Sequence, residues 1–127
     1  MVHRVTTYIR QRGMLDKSKP VLVGLSGGAD SVALLDVLHE AGYACVAAHC
    51  NFHLRGEESN RDEAFVRQLC AQMDVPLETT AFDTLAYARA HDMSVEMAAR
   101  ELRYVWFEQM AQKNGCQAVA EIGRAHV

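Results

Sequence analysis

None of the 4 cysteines stands in a Cys-x-x-Cys pair, only 2 prolines and 8 glycines occur in 127 residues, and the longest unbroken apolar run covers residues 43–48. So little proline and glycine excludes a fibre or a disordered tail and points to one globular domain, 50% apolar and 23% charged. At this length roughly two thirds of the unfolded surface can be buried, so neither a disulfide nor a structural metal is needed to hold the fold. The apolar run is far below the roughly 20 residues of a membrane span, and no hydrophobic stretch follows the basic start to act as a signal peptide. Cys45, Cys50, Cys70 and Cys116 lack metal-ligand spacing, and three of them sit in apolar surroundings where a thiol packs as a small hydrophobe. Such cysteines suit a reducing compartment. The expectation is a cytoplasmic protein without membrane contact.

Charge is unevenly placed. The net −3 divides into +4 over residues 1–19, where Arg4, Arg10, Arg12, Lys17 and Lys19 oppose only Asp16, and −7 over the remainder. A basic lip on an acidic body suits contact with a polyanion, and it equally suits a plain solvated helix face.

Val2, Val5 and Ile9 recur at helical spacing and Gly13 follows, so the opening predicts a short amphipathic helix. After Pro20, the run Val21-Leu22-Val23-Gly24-Leu25 predicts a strand buried on both faces. A glycine-rich turn comes next, then a helical stripe of Val32, Leu35 and Leu38 closed by Gly42, then a second strand over 44–48 ending at His49. This is a β-α-β unit, with a right-handed crossover expected.

Past a polar loop over 50–58, Ser59 and Asp62 have N-cap and N3 spacing for a helix that buries Phe65, Val66, Leu69, Cys70 and Met73 and stops before Pro76. A third strand is predicted over 77–81 and a short helix over 85–91. Ser94 then caps a longer helix with Ala98, Leu102, Val105 or Trp106, and Met110 inward, stopped by Asn114-Gly115, before a fourth strand over 117–122. Strands alternating with helices predict an α/β fold: an open, mostly parallel sheet with helices on both faces.

The chemistry concentrates in the turn Ser26, Gly27, Gly28, Ala29, Asp30, Ser31. A strand-to-helix turn aims unpaired N–H groups and the positive end of a helix dipole at one small volume, which makes an anion pocket. Gly27 and Gly28 permit the backbone conformation and close approach that a side chain blocks, and the Ser26 and Ser31 hydroxyls add donors. The turn is neither a Walker A loop, since no lysine sits nearby, nor the Gly-x-G-x-x-Gly dinucleotide fingerprint. The bland alternative is a Gly-Gly pair that only tightens the turn. A helix dipole contributes at most about 2 kcal/mol, whereas micromolar nucleotide binding needs about 8 kcal/mol. Other cations must help: Mg2+ held partly by Asp30, or arginines from elsewhere in the chain.

These six residues resemble the Ser-Gly-Gly-x-Asp-Ser signature of the ATP pyrophosphatases, which cleave ATP between the α and β phosphates and transfer AMP to a carbonyl oxygen. The resemblance implies their PP-loop fold, Rossmann-like and of the adenine nucleotide alpha hydrolase type. It then narrows. His49-Cys-Asn-Phe-His-Leu-Arg55-Gly-Glu-Glu-Ser59 with Asp62, and Ser94-Val-Glu96-Met-Ala-Ala-Arg100-Glu-Leu-Arg103-Tyr104, are similar to the corresponding segments of the tRNA(Ile)-lysidine synthetases. Three motifs in the same order cover residues 21 to about 120.

Enzymes of that family adenylate the C2 carbonyl oxygen of the wobble cytidine in the isoleucine tRNA with a CAU anticodon, and free L-lysine then displaces AMP. The resemblance therefore implies ATP and Mg2+ as cofactors, with that tRNA and lysine as partners. Ser26 to Ser31, His49 and Arg55 would bind the nucleotide, and Asp30, Arg100 and Arg103 would be catalytic, with Asp30 also on the metal.

Glu96, Arg100 and Arg103 share one helix face by their spacing, which fits either phosphate recognition by planar guanidinium forks or a plain exposed ion pair. His49, Cys50 and His53 invite a zinc reading, but the spacing is loose and no second ligand pair follows, so His49 is read as ending its strand beside the nucleotide. Tyr104, Trp106 and Phe107 read as packing rather than as a base-stacking row.

The family's fourth strand leads into a His-x-x-Asp-Asp stretch that helps to recognise lysine. Here Glu121 onward reads Glu-Ile-Gly-Arg-Ala-His-Val. Residues 1–120 are accordingly expected to be the N-terminal part of a PP-loop domain, incomplete at its C-terminus, with 121–127 foreign to it and this chain inactive in forming lysidine. A missing fifth strand would leave an open edge for self-association into a homo-oligomer. Two rivals remain: a tRNA 2-thiocytidine enzyme, which expects Cys-x-x-Cys pairs, and a nucleotide-binding module without catalysis.

Overall fold

A computed structural model describes residues 3–11 and 15–126, with side chains described for 15–122. The chain opens on a strand, β1 (His3–Gln11), where the spacing of Val2, Val5 and Ile9 predicts a helix. Val5-Thr6-Thr7-Tyr8-Ile9 is a run of strand-favouring side chains. It pairs antiparallel with the last strand, β5 (Ala118–His126), in register from His3 opposite His126 to Gln11 opposite Ala118. That long-range pairing overrides the local helical period. Val2, Arg12 and Gly13 lie outside the described residues.

The remaining order is β2 (Val21–Gly24), α1 (Ala29–Glu40), β3 (Cys45–Asn51), α2 (Glu57–Met73), β4 (Leu77–Ala81), α3 (Thr84–Ala90) and α4 (Val95–Lys113). The sheet order is β1-β5-β2-β3-β4, and β5, β2, β3 and β4 run parallel. This is the expected α/β architecture. The fourth parallel strand runs on to His126, and the edge expected to lie open beside it carries β1.

Two cores flank the sheet. Val21, Val23 and Leu25 point to one side, where Leu35 and Leu38 of α1 and Val66 and Cys70 of α2 cover them. Leu22, Val46, Ala48 and Val119 point to the other, against Trp106, Phe107 and Ala111 of α4. The alternation along β2 is what buries it on both faces.

Two local expectations change and one open alternative is resolved. Helix α2 begins at Glu57 behind Gly56, with no side-chain cap, so Ser59 sits inside the first turn instead of capping it. Gly56 takes a left-handed φ of 57°, and Glu57 and Glu58 complement the helix dipole there. Phe65 is 45% exposed, because the Val66 and Cys70 line faces the sheet and Phe65 stands one step round the helix. On α4 it is Trp106, not Val105, that turns inward; Val105 is 50% exposed.

Candidate functional site

In an open parallel sheet the loops after the carboxyl ends of the strands share one edge. Here that edge holds a cavity of about 360 Å³, lined by residues from the β2–α1 turn, the end of β3 and the loop after it, α2, α4 and the outer part of β5. Of the residues singled out from sequence, Ser26, Asp30, Ser31, His49, Arg55 and Arg103 line it. Arg100 does not line it and is exposed on α4. Ala29 and Gly28 belong to the turn itself, Gly28 as the N-cap of α1.

The turn is built by its own side chains. Ser31, buried at 3% exposure, donates its hydroxyl to the Gly28 carbonyl at 3.0 Å and accepts from the Ser26 amide and the Ser26 hydroxyl, both at 3.1 Å. The Ser26 hydroxyl accepts from the Gly28 amide at 3.3 Å. These bonds use up the one donor and two acceptor positions of Ser31, so its hydroxyl braces the loop and has no proton left for a ligand. Gly27 holds φ 100°, and a Cβ there would come within 3.2 Å of Asp62. The backbone conformation calls for glycine, and the contact with Asp62 adds crowding to any side chain there.

The start of α1 carries no side-chain cap, whereas Asp83 caps α3 through the Ala86 amide and Ser94 caps α4 through the Met97 amide. The first amides of α1 have no intrahelical carbonyl to bond, and the dipole favours an anion before them. Asp30 sits in that first turn, exposed at the cavity.

His49 does not end its strand, since pairing with β4 carries β3 on to Asn51; it lies inside β3, 3% exposed, with Nδ1 2.7 Å from the Leu25 carbonyl. Arg55 stands at the mouth, paired with Glu58 and, at 3.5 Å, with Asp62. Both pairs are solvent-exposed and worth well under about 1 kcal/mol, so the guanidinium can exchange them for a phosphate at small cost. Arg103 lies 3.4 Å from Glu121, and both line the cavity. Among the described residues no group of three or more His, Cys, Asp or Glu side chains can hold a metal ion, so His49, Cys50 and His53 do not form one.

Several lining residues escape sequence reading. Asp62 has helix-cap spacing in the sequence, yet it packs against Gly27 from α2. Gly24 gives way to the Phe107 ring, since a Cβ there would lie 2.7 Å from Cε2. Asn51, buried, ties β3 to α2 by donating to Asn60 at 3.2 Å. These contacts join segments distant in the chain, and no local period signals them. Cys50 also lines the cavity, and burial pushes its thiol up to about 12, with Arg103 opposing and Glu121 adding to the rise.

The PP-loop domain family matches residues 1–125. The chain is 57% identical over 120 residues to a tRNA(Ile)-lysidine synthase of Parabacteroides distasonis, covering 94% of this chain and 27% of that protein. It is 58% identical over 117 residues to one of Bacteroides thetaiotaomicron, covering 92% and 28%, and 38% identical over 124 residues to one of Dehalococcoides mccartyi, covering 94% and 26%. The chain thus spans little more than a quarter of the length of these relatives. With the Ser-Gly-Gly-Ala-Asp-Ser turn at the head of an uncapped helix and a family match along nearly its whole length, the chain belongs to the PP-loop domain family.

Proposed function

We propose that the cavity binds ATP with its polyphosphate on the turn from Ser26 to Ser31, and that the chain supplies the nucleotide site of a tRNA(Ile)-lysidine synthetase acting in the cytoplasm. The single observation that carries this reading is the uncapped start of α1, reached through a left-handed Gly27 and opening on the cavity. Asp30, with Asp62 across the turn, would hold Mg2+, whose usual set is one or two carboxylates plus phosphate oxygens and water. Bound there, the ion would neutralise charge on the phosphates.

In this reading the α1 amides bind the polyphosphate, and Arg55 leaves Asp62 and Glu58 to pair with it. Arg103, and Arg100 from beyond the cavity wall, stand on the side from which the wobble cytidine of the CAU-anticodon tRNA enters. Its C2 oxygen attacks the α phosphorus, the bond to the β-phosphate oxygen breaks, and pyrophosphate leaves with the electron pair. L-lysine then attacks C2 through its amine, the C2–O bond breaks, AMP departs with that oxygen and the electron pair, and the new nitrogen substituent loses its extra proton to water.

The acidic pair that the resemblance assigns to lysine recognition is not among these 127 residues. The chain by itself is therefore expected to bind ATP and form no lysidine. Single-turnover release of pyrophosphate from ATP, with and without the tRNA, tests the reading. Release that depends on the tRNA supports an adenylating site, ATP binding without release favours a nucleotide-binding module, and formation of lysidine would overturn the expected inactivity. Self-association remains part of the proposal through the outer edge of β4, and a sedimentation coefficient that does not rise with concentration would remove it.

A further inference from the structure

Where β2 leaves the sheet, the Leu25 amide still donates to the Ala48 carbonyl at 2.9 Å, but the Leu25 carbonyl turns to the His49 ring. A carbonyl only accepts, so Nδ1 carries the proton, and in the neutral ring this fixes Nε2 as a bare acceptor. That second nitrogen is buried and has no hydrogen-bond partner among the described residues, while His49 itself lines the cavity. Bracing Leu25 requires only one ring nitrogen. A buried acceptor left unpaired costs free energy unless a ligand or water completes it.

From this we infer that His49 Nε2 is a specificity contact for the nucleoside half of the nucleotide, accepting a hydrogen bond from an O–H or N–H donor of the ribose or the base. Phosphate oxygens are themselves acceptors and cannot satisfy a bare acceptor, so the polyphosphate is excluded as the partner. The lining offers apolar side chains as well as charged ones: Leu25, Ala48, Phe52 and Phe107 belong to it, while Asp62, against Gly27, and its partner Arg55 stand beside the turn. The inference rests on the ATP reading above.

The test compares the wild-type chain with His49→Asn, whose amide N–H can stand in for Nδ1 toward Leu25 while the second nitrogen is lost. The probes are Mg2+ with ATP, 2′-deoxy-ATP, 3′-deoxy-ATP, purine riboside triphosphate, which lacks the 6-amino group, and inorganic triphosphate, read by calorimetry. One of the three analogues is expected to bind the wild type about fivefold more weakly than ATP, the loss of one hydrogen bond, and that analogue identifies the donor. In His49→Asn the same analogue and ATP should bind equally, with inorganic triphosphate unchanged. Equal losses in both chains, or a fall in triphosphate affinity in the variant, would overturn the inference by showing that His49 acts only through the loop. A wild type that binds the analogues and ATP alike would overturn it while leaving the ATP reading intact, and a wild type that binds no ATP would sink both.

Discussion

Ser31 and Cys50 show how a side chain that suggests ligand chemistry can be committed elsewhere. The Ser31 hydroxyl is saturated by Gly28 and Ser26, so its removal takes a partner from the Ser26 amide and the Gly28 carbonyl. Ser31→Ala is expected to cost about 1 kcal/mol of stability, measured by urea denaturation, because those groups exchange an internal partner for water. The motif's residue types are legible in the sequence, but the division of labour among them is not, since it depends on which way each hydroxyl turns. Cys50 lies in the cavity wall with its thiol pushed up to about 12, chiefly by burial. At pH 8 only about one part in ten thousand would be thiolate. Iodoacetamide should therefore label native Cys50 far more slowly than the same residue in urea, as mass spectrometry of the peptide would report. Rapid native labelling would contradict the burial that raises this thiol.

At the scale of elements, helix starts and stops encoded by neighbours in sequence are the legible ones. Ser94 caps α4 through the Met97 amide as its spacing predicts, and Asn114 caps its other end. The start of α2 is misread because Gly56 and the Glu57-Glu58 pair, not Ser59, define it. Helix α4 is further tied to β4 by Glu78, which accepts from Asn114 at 3.0 Å and pairs with Lys113 at 2.9 Å. Those two donors hold the Glu78 carboxyl below its usual value, against a small opposing effect of burial. A carboxyl lowered on folding stabilises the native state above its unfolded value and loses that contribution as pH falls through the folded value. Glu78→Gln should thus lower the melting temperature at pH 7, by an amount equivalent to less than about 1 kcal/mol given its partial exposure. The gap to wild type should narrow below about pH 4. A gap independent of pH would show that the amide replaces the carboxylate without regard to charge.

For the whole molecule, the β-α-β pattern, the parallel sheet and the two flanking cores follow from the runs at 21–25 and 44–48 and the helical stripes between them, and the structure has them. Strand β1 is not legible, because the partner that converts its helical spacing into a strand is the last segment of the chain. The cavity is legible only in part: the turn, His49, Arg55 and Arg103 are read from motifs, Asp62 stands in a motif without a site role, and Gly24 and Phe107 reach the cavity through packing between distant segments. Placement of the turn at the carboxyl edge of the sheet is what makes its free amides available to a nucleotide. Titration of the 15N-labelled chain with ATP and Mg2+, followed in amide spectra, tests this most directly. Polyphosphate binding at the turn predicts the largest shifts at the amides of Gly27, Ala29, Asp30 and Ser31, and saturating ATP that leaves those four amides unmoved would contradict it.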